Sequence, residues 1–184
     1  MLDEAIAAIW QALEAGVHYP PAWRGRLTVE QGYRVQLAIL ERLLQRGERQ
    51  AGWKVGLTSK GIQQQVGYHE PVFGYLLVSG ERSSGTVLVV GELLSPFFET
   101  ELCLTVGRDL MGPGVTQEQA RAALTAAAPA LEIVERRGDF AADAALSMAD
   151  NVQQKHFVTG PALAPLPPGL DLAAVQARVS INGQ

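Results

Sequence analysis

The spacing of the apolar residues changes after Gly52, and this change constrains the fold more than any other feature of the sequence. Before Gly52, apolar residues recur every three or four positions in two stretches, which is the repeat of an amphipathic helix. Gly16 and Gly47 stand where these helices are expected to end. Thr28 and Gln31 form a capping-box pattern, in which each side chain bonds a backbone N–H of the first helical turn. The start of the chain is therefore predicted to be helical.

Short runs typical of β-strands dominate after residue 50. Two further helices are predicted among them, over residues 59–67 and 116–127. Thr116 and Gln119 form a second capping-box pattern at the start of the latter helix, and Pro129 ends it. The fold class is α+β, with an N-terminal helical segment over residues 1–50 and a second domain built on a mixed sheet over residues 51–184. The predicted strands cover residues 53–57, 73–78, 86–90, 97–106, 131–134 and 179–181.

Composition and charge exclude several classes of protein. The chain has 184 residues, one cysteine and a formal net charge of −4. An acidic balance does not fit a nucleic-acid-binding domain, which needs a basic face. Cys103 has no partner for an internal disulfide and is expected to pack in the core. The N-terminus lacks signal-peptide features, and no apolar run approaches the ~20 residues that span a membrane. We therefore expect a cytoplasmic protein that binds neither nucleic acid nor membrane.

The last residues carry a turn signal with no strand after it. Asn182 and Gly183, following an alternating segment, are typical of a two-residue β-hairpin. A strand left at an open sheet edge exposes unpaired backbone groups and invites association. We expect a chain truncated at its C-terminal end, or else a missing partner strand that comes from elsewhere. A homo-oligomer is the expected state of assembly.

Three glutamates form the first candidate site. Glu99 and Glu101 alternate with apolar residues, so both side chains lie on one face of a strand. The solvated outer face of an antiparallel strand also explains this pair. Glu132 lies in an otherwise apolar segment, where a buried carboxylate needs a cation or a hydrogen-bond donor beside it. Three converging carboxylates, with no histidine or cysteine ligand, form a hard oxygen site suited to Mg²⁺ or Mn²⁺.

Lys54 is the second candidate, because a lysine is uncommon inside an apolar strand such as the run over residues 53–57. In one interpretation its amine snorkels to water along an apolar stem. In the other, the amine is desolvated and exchanges a proton near neutral pH. The residues alone leave both interpretations open.

Several motifs, taken in their order along the chain, are together more specific than any one of them. The motifs are Gly52-Trp53-Lys54-Val55-Gly56-Leu57-Thr58-Ser59-Lys60, Gln63-Gln64-Gln65, Phe73-Gly74, Glu99-x-Glu101, Pro129-Ala130-Leu131-Glu132-Ile133-Val134 and Ala149-Asp150-Asn151. In carrying these motifs in this order, the sequence resembles the 2-oxopent-4-enoate hydratase and 4-oxalocrotonate decarboxylase family of the fumarylacetoacetate hydrolase superfamily. The resemblance runs from the N-terminal helix to the last residue.

The resemblance implies a fold, a reaction and a set of site residues. The fold would be a mixed β-roll of the fumarylacetoacetate hydrolase type, here without the C-terminal strands with which family members continue. Glu99, Glu101 and Glu132 match the family's ligands for Mg²⁺ or Mn²⁺, and Lys54 matches the lysine that moves protons on and off the substrate. The family's substrates are 2-hydroxy-dienoates and their 2-oxo tautomers, formed when bacteria cleave aromatic rings. The chain is thus expected to be a metal-dependent lyase.

One departure from the family pattern bears on which bond the enzyme breaks. Hydratases of the family carry an acidic residue just before Phe-Gly, whereas this chain has Val72 before Phe73-Gly74. Valine cannot orient or deprotonate a water molecule, while loss of CO₂ requires no activated water. The expectation is therefore chemistry like that of 4-oxalocrotonate decarboxylase, with a 2-oxopent-4-enoate hydratase as the alternative. A non-catalytic paralogue that supports a related hydratase or decarboxylase subunit is the alternative from another class.

Further substrate contacts are predicted at Ser59 and His156, besides Lys54. Lys155 and His156 would suit the second carboxylate of a dicarboxylate substrate, although surface solvation is the simpler interpretation of this pair. The residues after Asn151 also depart from the small or serine residues that the family often has there, which leaves the identity of the substrate open.

Overall fold

The computed structural model describes all residues from 1 to 184 and confirms the α+β class. None of its helices combines the length and the apolar character needed to cross a membrane. The helices are α1 (Leu2–Glu14), α2 (Val29–Gln45), α3 (Lys60–Val66), α4 (Gln117–Ala123) and α5 (Ala144–Ala149). The strands are β1 (Gln50–Gly56), β2 (Val72–Leu77), β3 (Glu81–Arg82), β4 (Pro96–Val106), β5 (Leu124–Glu135) and β6 (Gln154–Thr159).

The predicted helix starts are formed by the predicted side chains. The Thr28 hydroxyl accepts a hydrogen bond from the Gln31 backbone N–H, and the Gln31 side chain accepts one from the Thr28 N–H. Thr116 and Gln119 make the same reciprocal pair at the start of α4. Gly16 follows α1 with a φ of 68°, a conformation that glycine adopts without strain. These boundaries depend on local chemistry, which is why the sequence predicts them.

The predicted helix over residues 116–127 is wrong at its C-terminal end. Helix α4 stops at residue 123, and β5 continues from there through Pro129. The alanines at 126–128 are buried in the strand, and Ala127 exchanges backbone hydrogen bonds with Leu163. The helix preference of alanine is worth less than about 1 kcal/mol per residue, so strand pairing outweighs it. The predicted short strand over residues 131–134 is thus the end of a longer one.

Two predicted strands are not formed, over residues 86–90 and 179–181. Valine-rich runs favour a strand only when another strand pairs with them, and Val87 is 86% exposed. The turn after the second segment is formed. Asn182 and Gly183 have φ angles of 54° and 80°, and the residues flanking them exchange two backbone hydrogen bonds of 3.0 Å. This is the geometry of a two-residue hairpin turn.

The chain divides into two compact units that alternate along the sequence. The first comprises Met1–Glu81, Leu88–Phe97 and Ile133–His156, and the second comprises Arg82–Val87, Phe98–Glu132 and Phe157–Gln184. The predicted division at residue 50 stays a prediction. The first unit has its main apolar core among α1, α2 and α5, made by Ala5, Ile9, Trp10, Tyr19, Trp23, Val35, Ile39, Leu146 and Ala149.

Two sheets carry the candidate residues other than Ser59. Strands β1 and β2 form an antiparallel pair in the first unit, in which Lys54 lies opposite Gly74 and Gly56 lies opposite Val72. The remaining strands form a four-stranded sheet in the order β3-β6-β5-β4, so β4 is an edge strand and β5 an interior one.

Candidate metal centre

The second unit brings together the carboxylates of Glu99, Glu101 and Glu132. One oxygen from each lies within 4.8 Å of the others. Glu132 is only 4% exposed, whereas Glu99 and Glu101 are exposed. The cluster therefore has one buried carboxylate and two that are open to solvent.

Strand pairing explains why residues distant in the sequence meet. The Gly107 N–H donates to the Ala123 carbonyl at one end of the β4–β5 pair, and the Arg136 N–H donates to the Ser95 carbonyl at the other. This pattern makes the two strands antiparallel, and side chains opposite each other in such a pair share a face of the sheet. Glu99 and Glu101 share a face because strand side chains alternate, and β5 adds Glu132.

The chemistry of this donor set fits a hard divalent cation. All three donors are carboxylate oxygens, which Mg²⁺, Mn²⁺ and Ca²⁺ prefer over the softer metals. Ionised carboxylates this close repel one another, and a cation between them removes that repulsion. Water can complete the coordination from the exposed side, as Mg²⁺ usually requires.

Strand β1 places Lys54 on its more buried face. Its neighbours Trp53 and Val55 are about half exposed, while Gly52, Lys54 and Gly56 alternate with them and are partly buried. A Cβ atom added to Gly56 would lie 3.9 Å from the Lys54 Nζ atom. The lysine side chain thus extends along a part of the strand that carries no other side chains.

Ser59 and His156 lie in the same unit as Lys54. Ser59 occupies the N-cap position of α3, where its exposed side chain makes no capping hydrogen bond. His156 lies partly buried on β6. Their predicted part in substrate binding stays a prediction.

Val72, the residue that departs from the hydratase pattern, is 1% exposed. It forms an apolar cluster with Met148 and Val152, against which Tyr33 and Leu57 also pack. The side chain of Val72 therefore lies in apolar surroundings.

A buried ionic network around Arg137 was missed in the sequence. The guanidinium donates from Nε to an Asp150 carboxylate oxygen at 2.6 Å and from Nη1 to a Glu135 oxygen at 3.1 Å. Burial by itself raises the pKa of Glu135, but hydrogen bonds from the Leu94 N–H and from Arg137, together with the positive charges of Lys155 and Arg137, outweigh burial and lower that pKa. His18 Nδ1 lies 2.9 Å from the other Asp150 oxygen. The only signal of this network in the sequence is the charged run Glu135-Arg136-Arg137, which directly follows the apolar segment ending at Val134.

The Arg137 network borders a cavity of about 320 Å³ in the first unit. Apolar side chains of α1, α2 and α5 line its other side. Lys155 also lines it, but the lining includes none of the three glutamates of the candidate metal centre, nor Lys54, Ser59 or His156. This cavity therefore adds nothing to the candidate metal centre.

Comparison with curated proteins places these residues in a family context, although no family model matches the chain. The chain is 38% identical to 2-hydroxypent-2,4-dienoate hydratase of Pseudomonas putida over 160 residues, which are 86% of this chain and 72% of that protein. It is 31% identical to 4-oxalocrotonate decarboxylase of Pseudomonas sp. strain CF600 over 159 residues, which are 86% of this chain and 60% of that protein.

A solved structure shows the same fold. It is 4-oxalocrotonate decarboxylase from Pseudomonas putida G7 complexed with magnesium and adipate, which matches with a TM-score of 0.77 and 26% identity. The match covers 86% of this chain and 63% of the solved chain, so this chain spans less than two thirds of several relatives. The extent and identity of the hydratase match nevertheless decide the assignment. The chain belongs to the family of 2-oxopent-4-enoate hydratases and 4-oxalocrotonate decarboxylases.

Proposed function

We propose that this chain is a divalent-metal-dependent lyase acting on 2-hydroxy-dienoate or 2-oxo-enoate acids from the cleavage of aromatic rings. The observation that carries the proposal is the cluster of three carboxylates within 4.8 Å, in a chain related to hydratases and decarboxylases. Glu99, Glu101 and Glu132 would hold the cation, with Mg²⁺ or Mn²⁺ as the proposed ion. The related decarboxylase was solved in complex with magnesium, which supports this choice.

Each part of the proposed machinery has a separate task. A divalent cation held by the three glutamates would supply Lewis-acid polarisation of the substrate. Lys54 carries a proton to or from the carbon skeleton, which is the role that the family resemblance implies for it. In decarboxylation the carbon–carbon bond to CO₂ breaks, its electron pair passes into the conjugated 2-oxo group, and Lys54 delivers the proton that the product requires. Ser59 and His156 are proposed to contact the substrate.

Decarboxylation is the reaction that we propose first, because Val72 provides no group to activate water. Its burial against Met148 and Val152 supports this choice, since neither of these apolar side chains can orient water. Hydration is the second candidate. It is favoured by the higher identity to 2-hydroxypent-2,4-dienoate hydratase, 38% against 31% to the decarboxylase.

The metal site is tested by comparing two glutamate substitutions in the second unit. Glu132→Gln keeps the shape of the side chain but removes its charge from the cluster, and Glu118→Gln removes an exposed charge of α4. We expect Glu132→Gln to weaken Mg²⁺ binding, measured by isothermal titration calorimetry, by at least about tenfold, or about 1.4 kcal/mol. Glu118→Gln should bind Mg²⁺ like the unchanged chain. Equal affinities in all three proteins would contradict the proposed site.

The reaction is tested with two substrates in the presence of Mg²⁺. A dienoate diacid should release CO₂, and a dienoate monoacid should add no water; the reverse result would establish the hydratase alternative.

Lys54→Met should retain Mg²⁺ affinity and lose turnover, because it removes the proton carrier while sparing the carboxylates. A chain that neither binds Mg²⁺ nor turns over either acid would be the non-catalytic paralogue.

The remaining proposals concern assembly and architecture. We propose that the sheet forms part of a β-roll of the fumarylacetoacetate hydrolase type, for which the fold match to the decarboxylase gives support. A homo-oligomer is proposed, alone or in complex with a related hydratase or decarboxylase subunit. Light scattering of the purified chain measures directly whether it forms a homo-oligomer.

A further inference from the structure

A left-handed turn follows Asp150 in the first unit, and its backbone is unusual. Asn151, Val152 and Gln153 have φ angles of 54°, 50° and 61° in succession. Each left-handed residue other than glycine costs about 1–2 kcal/mol, and Val152 is β-branched, for which this conformation is a genuine outlier. All three residues are buried. Such strain persists only where surrounding contacts compensate for it, and it is often found at functional sites.

Asn151 uses this turn to hold strand β2. Its Oδ1 atom accepts a hydrogen bond of 2.7 Å from the Tyr75 N–H, and its Nδ2 atom donates one of 3.0 Å to the Tyr75 carbonyl. The side-chain amide therefore binds both backbone groups of one residue, as a neighbouring strand would. Both bonds are buried, where the loss of a partner costs most.

The same amide lies against the residue that faces Lys54. A Cβ atom on Gly74 would lie 2.8 Å from the Asn151 Oδ1 atom, 3.1 Å from the Asn151 carbonyl oxygen and 3.4 Å from the Lys54 Cγ atom. Gly74 is also the cross-strand partner of Lys54. Because Gly74 has no side chain, Asn151 and the stem of Lys54 can both lie close to its backbone.

We propose that Asn151 is a positioning residue for Lys54. By fixing the backbone of Tyr75 and packing against Gly74, it holds the β1–β2 pair at the point where the lysine stem crosses it. The expected effect of Asn151 on turnover rests on the proposed function of Lys54. Its expected effect on the mobility of the Lys54 side chain does not.

The test compares two substitutions within the turn. Asn151→Gly removes both hydrogen bonds to Tyr75 while keeping a residue that tolerates positive φ. Gln153→Gly is the matched control, since Gln153 is equally buried at 8% and also makes two side-chain hydrogen bonds, accepting from the Arg137 N–H and donating to the Tyr19 hydroxyl. We expect Asn151→Gly to lower kcat about tenfold with KM changed less than about twofold, and Gln153→Gly to change neither beyond about twofold.

A measurement independent of activity separates this proposal from the proposed function. The chain has only three lysines, Lys54, Lys60 and Lys155, so ε-¹³C labelling gives three NMR signals, assigned with Lys60→Arg and Lys155→Arg. Asn151→Gly should narrow and shift the Lys54 signal as its side chain gains mobility, and Gln153→Gly should leave it in place.

Equal effects of the two glycine variants on the Lys54 signal would overturn the positioning role, whatever the activity. If Lys54→Met retains turnover while Asn151→Gly still mobilises Lys54, the proposed function fails and the positioning role stands. Should Asn151→Gly not fold, Asn151→Asp takes its place. That variant keeps the acceptor for the Tyr75 N–H but loses the donor to its carbonyl, and the same contrast with Gln153→Gly is expected.

Discussion

At the scale of single residues, the three glutamates of the candidate metal centre differ in burial. Glu132 is almost fully buried while Glu99 and Glu101 are exposed, although all three belong to one cluster. The buried carboxylate is the one whose charge depends most on a nearby cation or donor, because it has lost most of its water. Substitution at Glu132 is therefore the most informative single change at the candidate metal centre.

Val72→Asp tests the apolar character of the position that departs from the hydratase pattern. We expect this variant to be destabilised by about 3 kcal/mol or more near pH 8, since it puts a carboxylate into an apolar cluster. Burial favours the neutral form of the introduced acid, so its destabilisation should shrink as the pH falls towards about 4.

Urea unfolding at about pH 8 and about pH 5 measures this difference. Val72→Asn is the control, because it has a similar polar shape but does not ionise, and its destabilisation should be equal at the two pH values. An equal pH response of the two variants would show that position 72 is solvated.

At the scale of the elements, one close helix contact depends on a glycine. Gly32 lies in α2, and a Cβ atom there would overlap the backbone carbonyl of Ala145 in α5. Backbone atoms cannot move aside as a flexible side chain can. The packing of α5 on α2 is therefore set by the absence of a side chain at Gly32, and α5 leads directly into the turn that carries Asn151.

Gly32→Ala should destabilise the fold by about 1–3 kcal/mol through overpacking, even though alanine is the better helix former by about 1 kcal/mol. Gly61→Ala in α3 is the matched substitution in open space, where the nearest atom to the new Cβ is the Ser59 Oγ atom at 3.7 Å. It should stabilise by up to about 1 kcal/mol. Opposite signs in denaturant unfolding are the expected result, and a stabilising Gly32→Ala would contradict the close contact.

At the scale of the whole molecule, burial of the tyrosines links stability to alkaline pH. Burial raises the pKa of Tyr19 to about 12 and, in the same direction, that of Tyr33, Tyr68 and Tyr75. The folded protein thus holds all four tyrosines of the chain in the neutral form more strongly than the unfolded chain does. A raised pKa in the folded state stabilises fully below the unfolded value of about 10, and this stabilisation is lost as the pH rises through the folded value.

We therefore expect the free energy of unfolding to fall between about pH 10 and about pH 12, with tyrosinate absorbance appearing together with unfolding. Tyr19→Phe loses hydrogen bonds to Ser147 and Gln153, so it should be less stable near neutral pH. It should also lose less further stability over the alkaline range. Tyrosinate absorbance that develops fully while the protein remains folded would contradict the burial of these side chains.

The sequence by itself determined the features that depend on neighbours along the chain. Both capping boxes, the first two helices and the Asn182–Gly183 turn are formed where they were predicted, because their hydrogen bonds join residues a few positions apart. The shared face of Glu99 and Glu101 likewise follows from strand alternation alone. For the candidate site, the sequence therefore supplied the residue types and the order of the motifs.

Only the tertiary structure decided which segments pair. The alanine-rich segment before Pro129 became strand because it pairs within a sheet, and residues 86–90 did not because nothing pairs with them. The meeting of Glu132 with the two glutamates of β4, and the left-handed turn that brings Asn151 to Tyr75, have the same origin. These contacts join distant parts of the chain, and their free energy exceeds the small local preferences that a sequence pattern reports.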